Sequence, residues 1–289
     1  MYGSRVIVET VPNPSQTALL AAAARAAHLE VDHEPHILHD DLAARLLGDR
    51  AHELIAYHRA HGDHPILAAA RAQTVVRARY AENRVRDLAD TEHAGAVQYV
   101  ILGAGLDTFA LRHDDIPVFE VDLPDTQLWK RKAIADAGLE SRARFVPMDL
   151  TADDLAANLR DAGHDPNLPT VMSWLGVTMY LTRDAVSRTL RRIAALGRVE
   201  LILDYILPAH LRDAQGEMYA RAVAQAAGEQ GEPWLSQYTP GELRETLSRH
   251  GFADIRDLGL ADAAPGYWPR TDSLRPMALL ALAHARRPR

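Results

Sequence analysis

No cysteine occurs among the 289 residues. Its absence excludes disulfides and thiolate metal ligands, and nothing in the chain then calls for an oxidising compartment. A cationic surplus is missing too: 32 Lys and Arg stand against 39 Asp and Glu, a formal charge of −7. That balance argues against nucleic acid, because neutralising a phosphate backbone takes clustered Lys and Arg. Long apolar runs are also lacking. The one near the start, Ala18 to Ala24, lies behind Glu9 and is closed by Arg25, far short of the roughly 20 residues a membrane span needs. The expected protein is therefore cytoplasmic, with neither nucleic acid nor membrane as a partner. What remains is ordinary globular composition, 47% hydrophobic and 25% charged, in a length suited to one large α/β domain with an elaboration.

Residues 1–95 are rich in Ala, Arg, Leu and His, with apolar side chains at helical spacing (Leu42, Leu46, Leu47; Val75, Val76, Tyr80). This predicts an N-terminal helical cap, broken at Pro12, Pro14, Pro35 and Pro65 and opened by Ser15 as an N-cap. From Val97 the texture changes. Short apolar strands (Gln98 to Leu102, Val118 to Asp122, Arg144 to Met148, Thr170 to Trp174, Glu200 to Tyr205) alternate with helical patterns such as Thr126 to Ala137 and Arg183 to Leu196. Such alternation specifies parallel βαβ units. A helical stretch, Leu211 to Ala227, and a loop, Gly228 to Tyr238, come next. Then Thr239-Pro240-Gly241-Glu242 opens a helix with Thr at the N-cap, Pro at the first position and Glu three after the cap. Two closing strands, Ala253 to Leu258 and Met277 to Ala283, complete the expected fold. That fold is α/β, a doubly wound, mostly parallel seven-stranded sheet over residues 96–289, with 206–240 as a helical lid or substrate insertion.

The first strand runs directly into Gly103-Ala104-Gly105-Leu106-Asp107-Thr108. At that strand's carboxyl end, backbone without Cβ atoms lets a ligand approach closely. Asp107 suits either a helix N-cap or a ligand contact. The second strand ends in Glu120-Val121-Asp122, about 20 residues on, where a carboxylate can accept from ribose hydroxyls. Asp122 is the first choice for this role, and Glu120, one residue pair deeper on the same strand face, the second. The third strand ends in Pro147-Met148-Asp149-Leu150, where Asp149 can accept from an adenine amino group. A nicotinamide dinucleotide would want a third small residue where Thr108 stands, and no G-x-x-x-x-G-K-[ST] phosphate loop is present. A cofactor with ribose and adenine but without phosphate fits this set.

With these residues in place the sequence resembles the leucine carboxyl methyltransferase-like family of class I S-adenosylmethionine-dependent methyltransferases, which includes polyketide carboxyl methyltransferases. The segments that carry the resemblance are Val100 to Thr108, Val118 to Pro124 and Trp174 to Leu181, with Ser15 to Ala18 and His39 to Ala43 upstream. It implies a Rossmann-like fold and S-adenosyl-L-methionine as cofactor. Arg77 matches the family arginine that pairs with the cofactor's methionyl carboxylate, a role suited to a two-pronged guanidinium. Gly103, Asp122, Asp149 and Leu150 match positions lining the nucleoside, and Ala104, Gly105, Trp174 and Leu175 are read with them. The chain departs from the family at Leu175, where many members place a glutamate, and at Glu82-Asn83 in place of an Asp-Asp pair.

The expected reaction is O-methylation of a small-molecule or peptide carboxylate in specialised metabolism. A carboxylic acid, with a pKa of about 4, is already ionised at neutral pH, whereas a phenol near 10 would gain from a general base. Tyr180, Tyr205 and His210 are the candidate catalytic residues. The alternatives are a phenol or hydroxyl acceptor, or a cofactor-binding fold whose catalysis is lost or redirected. The segment Leu211 to Tyr238, with Met218, Tyr219, Trp234 and Tyr238, is expected to line the substrate pocket or to form part of the core. His33, His36, His39, His58, His61 and His64 recur at spacing three in a Pro-broken segment without Cys, which predicts exposed faces and no metal site.

Overall fold

The computed structural model describes residues 15–92, 96–229 and 233–288. Pro12 and Pro14, expected to break the first helical segment, lie outside these residues. So does the part of the expected loop at 230–232.

Among the described residues, four helices precede the sheet: α1 (Gln16–Val31), α2 (Ala43–Leu46), α3 (Arg50–His61) and α4 (Pro65–Glu92). The Ser15 side chain caps α1 by accepting from the Ala18 N–H. Alanine makes α1 a strong helix former and lets it pack closely. Leu19, Ala22, Ala23, Ala26 and Ala27 are buried in one cluster with Ala43, Leu47 and Ile55 from α2, α3 and the turn between them. α4 begins at Pro65, whose fixed φ suits the first turn and whose missing N–H costs nothing there.

The remaining chain runs β1 (Gln98–Leu102), α5 (Phe109–Arg112), β2 (Val118–Asp122), α6 (Pro124–Asp136), β3 (Arg144–Pro147), α7 (Leu155–Asp161), β4 (Thr170–Trp174), α8 (Arg183–Ala194), β5 (Val199–Ile206), α9 (Ala214–Glu229), α10 (Pro240–Arg249), β6 (Ala253–Leu258), α11 (Leu260–Ala263) and β7 (Leu280–Arg287). The sheet order is β3-β2-β1-β4-β5-β7-β6. β1 to β5 pair in parallel, and β7 runs antiparallel between β5 and β6. This is the doubly wound, mostly parallel seven-stranded sheet expected. Every residue of β1, β4 and β5 is buried, as strands covered on both faces must be. The period of two divides β1 between layers. Tyr99 and Ile101 join Val75, Val76 and Val85 of α4 in one core, while Val100 and Leu102 join Val186 and Leu190 of α8 in the other.

Element ends shifted where pairing overrode the apolar pattern. β7 starts at Leu280, not Met277, and runs to Arg287, because it pairs with all of β5 from Ile206↔Leu280 to Val199↔Arg287. His284 and Arg286 fit in that strand because both reach Glu200 across the ladder. α9 starts at Ala214, not Leu211, since Ala209–Leu211 forms a separate 3-10 turn after Pro208. Among the described residues, no helix is long and apolar enough to cross a membrane.

Candidate active site

β1 has β2 on one side and β4 on the other, so successive connections leave its carboxyl end in opposite directions and open a crevice there. A cavity of about 500 Å³ occupies that place, within the usual range for small-ligand sites.

The glycine turn forms its floor. The Gly103 and Ala104 N–H groups both donate to the Val121 carbonyl, at 2.8 and 3.1 Å, folding the turn back onto β2. Gly103 adopts φ +68°, and a Cβ there would lie 2.4 Å from Val177 Cγ2. Both the backbone conformation and the close approach of the loop after β4 therefore require glycine. Asp107 lines the cavity and is not the N-cap of α5, a position that Thr108 takes; its Oδ1 accepts from the Phe109 N–H at 2.8 Å, one residue further on.

Asp122 lines the cavity and divides its two oxygens between backbone donors. Oδ2 accepts from the Gly105 N–H and Oδ1 from the Leu123 N–H, both at 2.7 Å. Burial pushes its carboxyl above the ordinary range against the pull of those donors. An ionised carboxylate offers about four lone-pair sites, so each oxygen keeps acceptor capacity for a ligand. Asp149 also lines the cavity; its Oδ1 accepts from the Thr151 hydroxyl and N–H, both at 2.7 Å, which holds its carboxyl below the usual range. Ala104, Gly105, Leu150 and Leu175 are lining residues as expected.

Arg77, from α4, reaches the opposite wall with its side chain 15% exposed. Its Nη1 donates to Asp204 Oδ2 at 2.8 Å, and the other Asp204 oxygen accepts from the Gly176 N–H at 2.7 Å. Burial pushes the Asp204 carboxyl up, and the Arg77 charge pulls it back. Nearby, Arg25 of α1 donates to Asp40 Oδ2 at 2.7 Å and to the Leu106 carbonyl at 2.6 Å. Arg112 pairs with Glu82 and donates to the Thr108 hydroxyl. These contacts fasten the glycine turn to the helical cap. They also account for Asp40 in the upstream motif and for Thr108 and Glu82, which the cap holds in buried positions.

Four expected site residues are not in the cavity wall. Glu120 is buried and ion-paired with Lys130 of α6 at 2.5 Å, its carboxyl pushed up to about 7 by burial against the pull of that lysine. Trp174 is fully buried in the core on the α8 side of the sheet. Tyr205 donates its hydroxyl to Asp257 Oδ1 at 3.0 Å, and burial raises its pKa well beyond that of a general base. His210 is exposed on the 3-10 turn after β5. Of the three catalytic candidates, Tyr180 alone lines the cavity. Among the described residues of 206–240 none does so; Tyr219 and Tyr238 are core residues and Trp234 packs against the core. His58, expected on an exposed face, is buried against Arg71 at 3.2 Å.

The sequence did not mark Asp204, Gly176, Arg25, the N-cap Ser15 or the α1 residues Thr17, Ala18 and Ala21 as site residues, yet all of them line the cavity or hold its wall. Asp204 had a visible signal: one carboxylate inside the otherwise apolar run Leu201 to Leu207, where a buried charge must find a partner. Ser15 to Ala18 had the family resemblance as a signal, but Ala21 and Arg25 had none, because helix periodicity does not say what a helix leans on.

The leucine carboxyl methyltransferase family model matches residues 18–194, more than half of the chain. The chain is 32% identical over 200 residues to YktD of Bacillus subtilis, described as a candidate S-adenosyl-L-methionine-dependent methyltransferase, with 66% of each protein covered. It is 36% identical over 201 residues to a similarly described protein of Mycobacteroides abscessus, covering 65% of this chain and 64% of that one. The matches thus span just under two thirds of these relatives' lengths. Among solved structures, the chain is similar to a candidate methyltransferase from Thermobifida fusca (18% identity, TM-score 0.58, 91% of this chain and 98% of that one). It is also similar to a DUF574 family protein from Streptomyces avermitilis (16% identity, TM-score 0.56, 92% and 97%). At such identities the structural likeness carries the fold.

Proposed function

The chain belongs to the leucine carboxyl methyltransferase family, whose cofactor is S-adenosyl-L-methionine, and from that premise we propose that it methylates the oxygen of a small-molecule carboxylate. The cavity fits this cofactor on its own terms. Asp122 and Asp149 stand at the ends of adjacent strands with acceptor capacity for a nucleoside, the glycine turn leaves backbone uncovered beside them, and Arg77 offers a cation to an amino-acid carboxylate. No phosphate loop competes with that reading.

The acceptor class rests on one observation. Among the described residues, the titratable groups lining the cavity are Asp107, Asp122, Asp149, Arg25, Arg77 and Tyr180. Each of the three carboxylates already accepts a backbone N–H, and no histidine or glutamate joins them. Such a wall offers little to deprotonate a phenol, whereas a carboxylate arrives ionised. When bound, the cofactor would supply an electrophilic methyl group on a sulfonium, and a carboxylate acceptor would ask this wall for no proton transfer. The wall is mostly apolar, and apolar surroundings favour a step in which opposite charges neutralise. Incubation with methyl-labelled cofactor and a panel of carboxylic acids and phenols should yield a base-labile labelled ester. Turnover of phenols alone would refute the carboxylate reading.

A further inference from the structure

We propose that Asp204 is a positioning residue: it aims the Arg77 guanidinium at the carboxylate of the cofactor's amino-acid tail. This rests on the reading of the cavity given above. Asp204 lies near the carboxyl end of β5 with its side chain fully buried. Its two oxygens reach two different elements, one accepting from Arg77 Nη1 of α4 at 2.8 Å and the other from the Gly176 N–H of the loop after β4 at 2.7 Å. Its own carbonyl accepts from the Thr178 hydroxyl at 2.5 Å, which fixes the same loop a second time.

The guanidinium lies against that loop. Gly176 has φ +73°, and a Cβ built on it would sit 2.7 Å from Arg77 Nη2 and 3.2 Å from Cζ. Arg77 is therefore held from one side by a buried carboxylate and from beneath by a residue with no side chain. Among the described residues its Nη2 and Nε donors have no protein acceptor, and the residue lines the cavity. Two donors on one rigid plane can grip a carboxylate through parallel hydrogen bonds, but only if the plane is correctly oriented. A long, flexible side chain does not achieve that alone. The cost of burying Asp204 is met by the same contact, since an unpaired carboxylate there would be strongly destabilising.

A buried ion pair that merely stabilises β5 would look similar, so the test must separate the two roles. Asp204→Asn preserves shape but leaves one acceptor oxygen, so either Gly176 or Arg77 faces an N–H in place of an oxygen. The two probes are S-adenosylhomocysteine and 5′-methylthioadenosine, which shares the nucleoside and sulfur but lacks the amino-acid tail. By titration calorimetry, Asp204→Asn should weaken S-adenosylhomocysteine at least tenfold and 5′-methylthioadenosine less than twofold. Arg77→Ala should show the same selectivity, and the double variant should lose no more than Arg77→Ala alone, as residues acting through one contact do. Gly176→Ala displaces the guanidinium with Asp204 intact; it should reproduce the selective loss and serves if Asp204→Asn does not fold. Equal weakening of both ligands, or unchanged affinity for S-adenosylhomocysteine, would overturn the proposal while the methyltransferase reading stands. A wild-type protein that binds neither ligand would overturn both.

Discussion

Asp122 closes the glycine turn and faces the cavity at once, and the two tasks explain why a carboxylate is needed there. Its Oδ2 anchors the Gly105 N–H and its Oδ1 the Leu123 N–H. Replacement by alanine removes the anchor together with the acceptor that we propose for a ribose. Asp122→Ala should therefore weaken S-adenosylhomocysteine at least tenfold, about 1.4 kcal/mol or more, as measured by calorimetry. Gly103→Ala should be harmful for a different reason: the left-handed backbone alone costs about 1–2 kcal/mol, and the contact with Val177 adds to it. A thermal melt unchanged in that variant would contradict the geometry of the turn. Asp122 and Asp149 were legible because a strand-end position is readable from the strand's own pattern. Glu120 was misplaced because the deciding partner, Lys130, comes from α6, and strand alternation does not reveal which carboxylate a neighbouring helix will claim.

At the scale of elements, local chemistry read well and long-range pairing did not. The capping box at α10 formed as its sequence requires: the Thr239 hydroxyl accepts from the Glu242 N–H, and the Glu242 carboxylate from the Thr239 N–H. Thr239→Ala should cost about 1 kcal/mol in chemical unfolding; no change would mean that packing alone holds α10. Adjacent residues of β5 show the limit. Tyr205 and Asp204 point to opposite faces by the period of two, so Tyr205 turns to Asp257 while Asp204 turns to Arg77. Choosing between them requires knowing which face α4 covers. The end of β7 likewise follows its ladder with β5, a contact some 80 residues distant.

Across the whole molecule, the helical cap and the sheet are joined by buried charge as well as by apolar packing. Within the cap, Arg71 donates to both Asp32 oxygens at 2.8 Å and faces His58, while His28 contacts Asp32 at 2.8 Å. Burial, reinforced by Arg71, pushes the His58 pKa down to about 4, and burial lowers that of His28. The unfolded chain takes up a proton on His58 near pH 6.5, which the fold refuses until about pH 4. Its contribution to stability is thus present above about pH 6.5 and declines as pH falls toward 4. His58→Gln should flatten that decline in unfolding titrations; an unaltered slope would show that His58 is already charged in the fold.

We propose that the crevice beyond β1, β2 and β3 takes a phosphate-free nucleoside with an amino-acid tail. Calorimetric titration of the wild-type protein with S-adenosylhomocysteine and, separately, with NAD tests it most directly. The account predicts saturable one-site binding of S-adenosylhomocysteine and none of NAD. Tight binding of NAD without binding of S-adenosylhomocysteine would contradict it.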